Sequence, residues 1–194
     1  MIKEKRQSQI MQATMRVVTK KGYSQTRIDD IAKESGLSKG AIYHYYNDKK
    51  EIFLSLIDHW ETETFPDFYK KNKDYTSIDI LKSFAKKVSE VYKKRKYVFQ
   101  AEVEFWALAN QDNDINKKSY ELYEKILNLF ELVIKKGIRE GYFKKVDPRL
   151  KSIYILSIFQ GINWFCIFDN KNDDAEKYIE DSIKSIISEL LIEN

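Results

Sequence analysis

Apolar side chains recur at helical spacing along most of this chain, and the polar breaks between the runs are short. From Lys3 to Lys21 nothing interrupts a helix, and Ile10, Ala13 and Val17 fall on one side of it. Gly22 follows two lysines and predicts the end of that helix. Thr26 is placed to cap a second helix with Ile28, Ile31 and Ala32 inward, stopping at Gly36. Ser38 caps a third, short helix that runs to about Tyr45 or Tyr46. Asp48 opens a fourth through Ile52, Phe53, Leu56, Ile57 and Trp60, ending near Pro66. Residues 67–76 read as a polar loop, and Thr76 with Asp79 forms a capping box for a helix that turns Phe84, Val88 and Val91 inward. Further helices are expected from about Lys96 to Asn110, Asp114 to Glu140, Asp147 to Phe168 and Asp173 to Glu193. Gly141 and the Asp147–Pro148 pair mark the breaks between them. The pattern predicts an all-α fold: a three-helix head over residues 1–48, a connecting helix over 49–66, and a helical-bundle body over 67–194.

Helices two and three flank a turn containing Gly36, which is the order of a helix-turn-helix. Ala32 is small where the two helices cross, Gly36 allows a positive φ, and Ile42 plugs the angle between them. At about 100° per residue, Ile42 and Tyr45 of the third helix point inward, while Lys39, Gly40, Tyr43 and His44 share the outer arc. That arc has no aliphatic side chain. A glycine inside a helix costs about 1 kcal/mol relative to alanine, and close approach of a phosphate strand explains tolerating Gly40 there.

Charge sharpens this picture. Residues 1–50 carry 11 Lys/Arg against 5 Asp/Glu, so the head is basic although the whole chain is only +4. A basic head on a slightly acidic body points to a polyanion as its partner. Thr26 and Ser38 present hydroxyls at helix starts suited to phosphate, and Lys39 and Lys49 supply charge. Arg27 suits guanine, because its guanidinium pairs with O6 and N7 together. Tyr43 offers its hydroxyl to a phosphate or its ring to a thymine methyl, and His44 a contact to base or backbone.

Composition excludes other classes. Six Gly and two Pro leave little material for an all-β fold. The single Cys166 makes no internal disulfide, and one thiol with two histidines builds no structural zinc site, so no metal and no cofactor are expected. No glycine-rich phosphate loop, nucleophile elbow or histidine pair at i,i+4 appears, and Glu102 and Glu104 point about 200° apart on one helix; an enzyme is not expected. The N-terminus is charged where a signal peptide is apolar. The most apolar run, Ile153 to Phe168, is interrupted by Ser157, Gln160 and Asn163 and is shorter than the roughly 20 residues that cross a bilayer. A cytoplasmic protein without a membrane segment is expected.

The stretch TRIDDIAKESGLSKGAIYHYYNDKKEIF, Thr26 to Phe53, resembles the DNA-binding signature of the TetR family of bacterial regulators. The resemblance is close over residues 8–60 and looser beyond, where EFWALANQDNDI and KKGIREGYFKKVDP resemble segments of the family's body. Tyr45 stands where the family often has histidine, and Tyr46 where it usually has phenylalanine. The resemblance implies DNA contacts at Thr26, Arg27, Ser38, Lys39, Gly40, Tyr43, His44 and Lys49. It also implies a pocket for a small-molecule effector, for which Phe99, Glu102, Phe105, Trp106, Tyr123, Phe130, Gln160 and Trp164 are the candidates. A buried Glu102 beside Trp106 favours a cationic effector. The near-continuous apolarity of Ile153 to Phe168 and the broad stripe on the last helix exceed what one subunit covers, and family dimers pair these two helices as a four-helix bundle. Ile155, Phe159, Ile162, Ile183, Ile187 and Leu190 are the expected dimer contacts. The function expected is a ligand-responsive repressor that binds a pseudo-palindromic operator as a homodimer. A DNA-binding protein without an effector is the alternative, and a helical enzyme a more distant one.

Overall fold

The computed structural model describes residues 2–64, 75–168 and 175–192. Among these, the elements in chain order are α1 (Ile2–Gln25), α2 (Ile28–Ser35), α3 (Lys39–Tyr43), α4 (Lys49–Thr64), α5 (Ser77–Arg95), α6 (Tyr97–Ala109), α7 (Asn113–Glu140), α8 (Pro148–Phe168) and α9 (Ala175–Leu190). The expected end near Pro66, most of the polar loop after it and the expected helix start at Asp173 lie outside the described residues. No described helix is long and apolar enough to cross a membrane.

Local chemistry sets most boundaries. Ser38 Oγ accepts from Ala41 N at 3.1 Å and starts α3. Asp48 Oδ1 accepts from Glu51 N at 2.8 Å and starts α4. Thr76 and Asp79 form the reciprocal capping box of α5, at 3.2 and 3.1 Å. Asp147 Oδ1 accepts from Arg149 N and Leu150 N, with Pro148 in the first position of α8. Gly36 and Gly141 hold the left-handed turns that close α2 and α7.

Two boundaries depart from expectation. Gly22 does not end α1; with φ 74° and ψ 159° it breaks the helix locally, and the chain continues helically to Gln25. The N-cap of α2 is Arg27, not Thr26. Arg27 N donates to Asp30 Oδ2 at 3.1 Å, while Thr26 is buried and donates its hydroxyl to Gly22 O at 2.8 Å. The kink carries the chain one residue further before α2 begins.

The chain divides into two compact units, one of residues Met1–Glu63 and Tyr97–Leu122, the other of Thr64–Lys96 and Tyr123–Asn194. This differs from a cut after residues 48 and 66, because α6 and the start of α7 fold with the head. In the first unit Ile10, Ala13, Val17, Ile31, Ile42, Ile52, Leu56 and Ile57 form the core. Rings extend it: Tyr23 lies 4.6 Å from Phe53, which meets Phe105 at 5.4 Å, while Trp60 donates its indole N–H to Val98 O at 2.8 Å. In the second unit Phe84 sits edge-on to Phe130 at 4.9 Å and to Phe159 at 4.8 Å. There Gly137 of α7 makes room for the ring of Phe143, which is fully buried.

Five of the six residues expected at a dimer contact are core residues of the subunit. Ile155, Phe159, Ile183, Ile187 and Leu190 are buried within the chain, and Ile162 is half-buried. A side chain already removed from water brings no new area to an interface. The apolar surface that α8 leaves exposed is another face: Leu150, Ile153, Tyr154, Trp164 and Phe165.

Candidate nucleic-acid interface

Helix α2 is fixed to α1 by ion pairs across the crossing. Arg16 Nε meets Glu34 Oε1 at 2.6 Å, and Lys21 Nζ meets Asp30 Oδ1 at 2.6 Å. The Arg16 and Lys21 hydrogen bonds hold the Glu34 and Asp30 carboxyls below their ordinary values. Two of the head's five acidic groups are therefore turned toward α1 and neutralised there, away from α3.

Ile42 anchors α3 with no exposure, and Tyr46 fills the position beside it. Tyr45, expected inward, is only half-buried. The reason is that α3 ends at Tyr43 and the backbone tightens, with Tyr45 N and Tyr46 N both reaching Ile42 O. On the outer side Arg27, Ser38, Lys39, Gly40, Tyr43 and His44 are all exposed, and Tyr43 keeps 47% of its surface. A Cβ at Gly40 would meet only Ser38 Oγ, at 4.0 Å, so the backbone there is open to close approach. Lys39 Nζ pairs with Asp29 Oδ2 at 3.0 Å, which orients the ammonium along the seam between α2 and α3. That hydrogen bond raises the Lys39 pKa, so the group is cationic at neutral pH.

Two expected contacts are engaged inside the chain. The hydroxyl hydrogen of Thr26 is used by Gly22 O. The Lys49 ammonium donates to Tyr23 O at 2.9 Å and Ser24 O at 3.4 Å and lies 4.3 Å from the centre of the Tyr23 ring. It thus ties the start of α4 to the end of α1. Sequence reading also missed Glu104. Its Oε2 accepts the N–H of Tyr23 at 3.0 Å, the amide that the break at Gly22 leaves without a helical partner. The Thr19 hydroxyl donates to Met15 O at 2.7 Å within α1, and the Arg16 guanidinium lies over the Tyr97 ring. Glu104 stands 81 residues from Tyr23 along the chain, and no local motif announces such a pair.

The expected effector residues fall in both units. In the first, Phe99, Glu102 and Phe105 are buried and Trp106 is exposed. In the second, Phe130 is buried, Tyr123 and Gln160 are half-buried, and Trp164 is exposed. No group of three or more His, Cys, Asp or Glu placed to hold a metal occurs among the described residues.

Residues 10–56 match the family model described as bacterial regulatory proteins, tetR family, and residues 59–190 match that of the QacR-like protein, C-terminal region. The chain is 28% identical to the HTH-type transcriptional regulator YfiR of Bacillus subtilis, over 75% of this chain and 72% of that one. It is 25% identical to the fatty acid metabolism regulator protein of Bacillus subtilis, over 85% of this chain and 86% of that one. A TetR transcription regulator from Haloarcula marismortui superposes with a TM-score of 0.82 at 20% identity, covering 97% of this chain and 100% of the other, which shows the shared fold. With a helix-turn-helix head whose outer arc is polar and a helical body of matching type, the chain belongs to the TetR family and is a DNA-binding transcriptional regulator with a QacR-like C-terminal region.

Proposed function

We propose that the chain acts as a ligand-responsive repressor in the cytoplasm, with two heads of a homodimer entering successive major grooves of a pseudo-palindromic operator. The observation that carries this reading is the outer arc of Arg27, Ser38, Lys39, Gly40, Tyr43 and His44, exposed together and free of aliphatic side chains. Arg27 reads a base edge, Tyr43 and Ser38 hold phosphate or a thymine methyl, and Lys39 supplies charge. Thr26 and Lys49 act behind this arc as positioning residues, through the internal bonds described above.

The dimer contact in this reading is the exposed stripe of α8. Leu150, Ile153, Tyr154, Ser157, Gly161, Trp164 and Phe165 recur at three- and four-residue steps, which places them on one face over about 22 Å of helix. Trp164 is 55% and Phe165 74% exposed in the subunit. A Cβ at Gly161 would have nothing within 4 Å, which leaves room for a facing backbone. The effector is a small molecule. Glu102, buried, carries the expectation of a cationic one, and Glu102→Gln should abolish such binding in calorimetry.

The operator is found by selecting fragments from the source genome that the protein retains. On that duplex, Arg27→Ala should cost about 1–3 kcal/mol and relax preference at one position. Lys39→Ala should lower the salt slope by about one unit for every sequence. Phe165→Asp should halve the mass in light scattering and remove operator binding. Wild-type protein that ignores duplex DNA at low salt would sink the reading.

A further inference from the structure

Helices α5 and α9 pack side by side within the second unit and leave a groove of about 610 Å³ along their seam. The pairing of Lys93 Nζ with Glu176 Oε2 at 3.5 Å brings the end of α5 to the start of α9, so the two helices run antiparallel. The floor is apolar, built from Ala85 on α5 and Ile183 and Ile187 on α9. Its volume lies within the range of small-molecule sites, about 300–1,000 Å³.

Charge shows that this seam is more than imperfect packing. Five lysines and three glutamates line the groove. Lys93 pairs with Glu176, and Lys184 lies 4.0 Å from Glu180, so two of each cancel. Lys82, Lys86 and Lys94 remain against Glu90, and among the described residues none of the three lysines forms an ion pair within 4.0 Å; the charge of Lys82 is near enough to help lower the Asp79 carboxyl. Lys82 and Lys86 are one helical turn apart, at the end of the groove away from the Lys93–Glu176 pair.

We propose that this groove binds an amphipathic anion, a medium-length alkyl chain carrying a carboxylate, sulfate or phosphate. The head lies between Lys82 and Lys86, and the tail follows the floor past Ser89 toward Ile183. The span from Lys82 to Lys94 is about 18 Å of helix, long enough for an extended chain. Groove and charge select one molecule, not a bilayer, because the apolar floor lies between helices and the rims are charged. This site is separate from the residues expected to hold the effector, so it stands or falls apart from the reading above.

The test is titration of the full-length protein with monomeric dodecanoate, dodecanol and dodecyltrimethylammonium, followed by calorimetry. Dodecanoate should bind below its micelle concentration, dodecanol at least about ten-fold more weakly, and dodecyltrimethylammonium not at all. Joint Lys82→Gln and Lys86→Gln substitution should weaken dodecanoate at least about ten-fold. Ala85→Trp, which fills the floor, should remove binding while helicity and operator affinity stay unchanged. If Ala85→Trp unfolds the chain, Ile187→Gln serves in its place, with the same loss expected. Dodecanoate binding that survives the lysine substitutions, equal binding of all three probes, or association with phosphatidylglycerol vesicles without binding of the monomer would overturn the proposal.

Discussion

In the first unit the seam between α1 and α6 is closed by groups that meet only at defined angles. Glu104 takes the Tyr23 amide, and Arg16 covers the Tyr97 ring. In the second unit the seam between α5 and α9 has an apolar floor, with ion pairs confined to exposed rims. Polar links fix the register of two helices, so a displacement of α6 pulls on the end of α1 and hence on the turn that leads into α2. An apolar seam sets its register by the fit of side chains and not by directional bonds. The α1–α6 seam of the unit that carries the helix-turn-helix is therefore held by directional bonds, and the α5–α9 seam by shape.

Substitutions can break that contrast at either end. The largest effect is expected at Gly137, where an added Cβ would overlap the fully buried Phe143 ring. Gly137→Ala should cost about 3 kcal/mol and lower Tm by about 6–12 °C in calorimetry, because shape leaves no escape. Gly22→Ala comes next. Its φ of 74° and ψ of 159° fall in a region nearly restricted to glycine, and about 1–3 kcal/mol is expected, read from urea midpoints. Glu104→Ala should cost about 1 kcal/mol in stability but should lower operator affinity as well, since the Tyr23 amide loses its acceptor. If operator affinity is untouched, the α1–α6 link does not position the head.

Acid provides the mildest probe. Hydrogen bonds from Lys21, Arg16 and Lys50 hold Asp30, Glu34 and Asp112 below their ordinary values, and each joins two elements of the first unit. In the second unit Asp79 is lowered mainly by Thr76 within its own cap. For Glu140, burial pushes the pKa up, but the Ser77 amide and Lys136 outweigh it. A depressed carboxylate contributes stability that is complete above its unfolded pKa and is lost as pH falls through the folded one. Stability should thus be flat near neutrality and fall below about pH 4. Hydrogen exchange should show α2 losing protection before α5. Simultaneous loss in both units would erase the contrast.

What the sequence reveals follows from the range of each interaction. Ser38, Asp48, Thr76 and Asp147 were legible as caps because donor and acceptor lie within three residues. The outer arc of α3 was legible for the same reason, since one turn of helix sets it. Tyr45 was expected inward but is only half-buried, because a fixed angle per residue was carried past the end of a five-residue helix. Lys49 and Glu104 act on Tyr23 from 26 and 81 residues away, so their roles emerge only once the chain is folded. Periodicity on α8 and α9 identified apolar faces but not what covers them. Ile155 and Ile183 turned inward, and the stripe through Trp164 stayed outside.

The last described residues act as a clasp. Lys144 N donates to Leu190 O at 2.9 Å, Ile192 N donates to Tyr142 O at 3.1 Å, and Leu191 pairs with Phe143 in an isolated bridge. Anyone shortening the protein for crystallisation should therefore leave these positions in place, since a stop codon after Leu190 would unfasten the turn that seats the Phe143 ring. An affinity tag belongs after them, on a spacer.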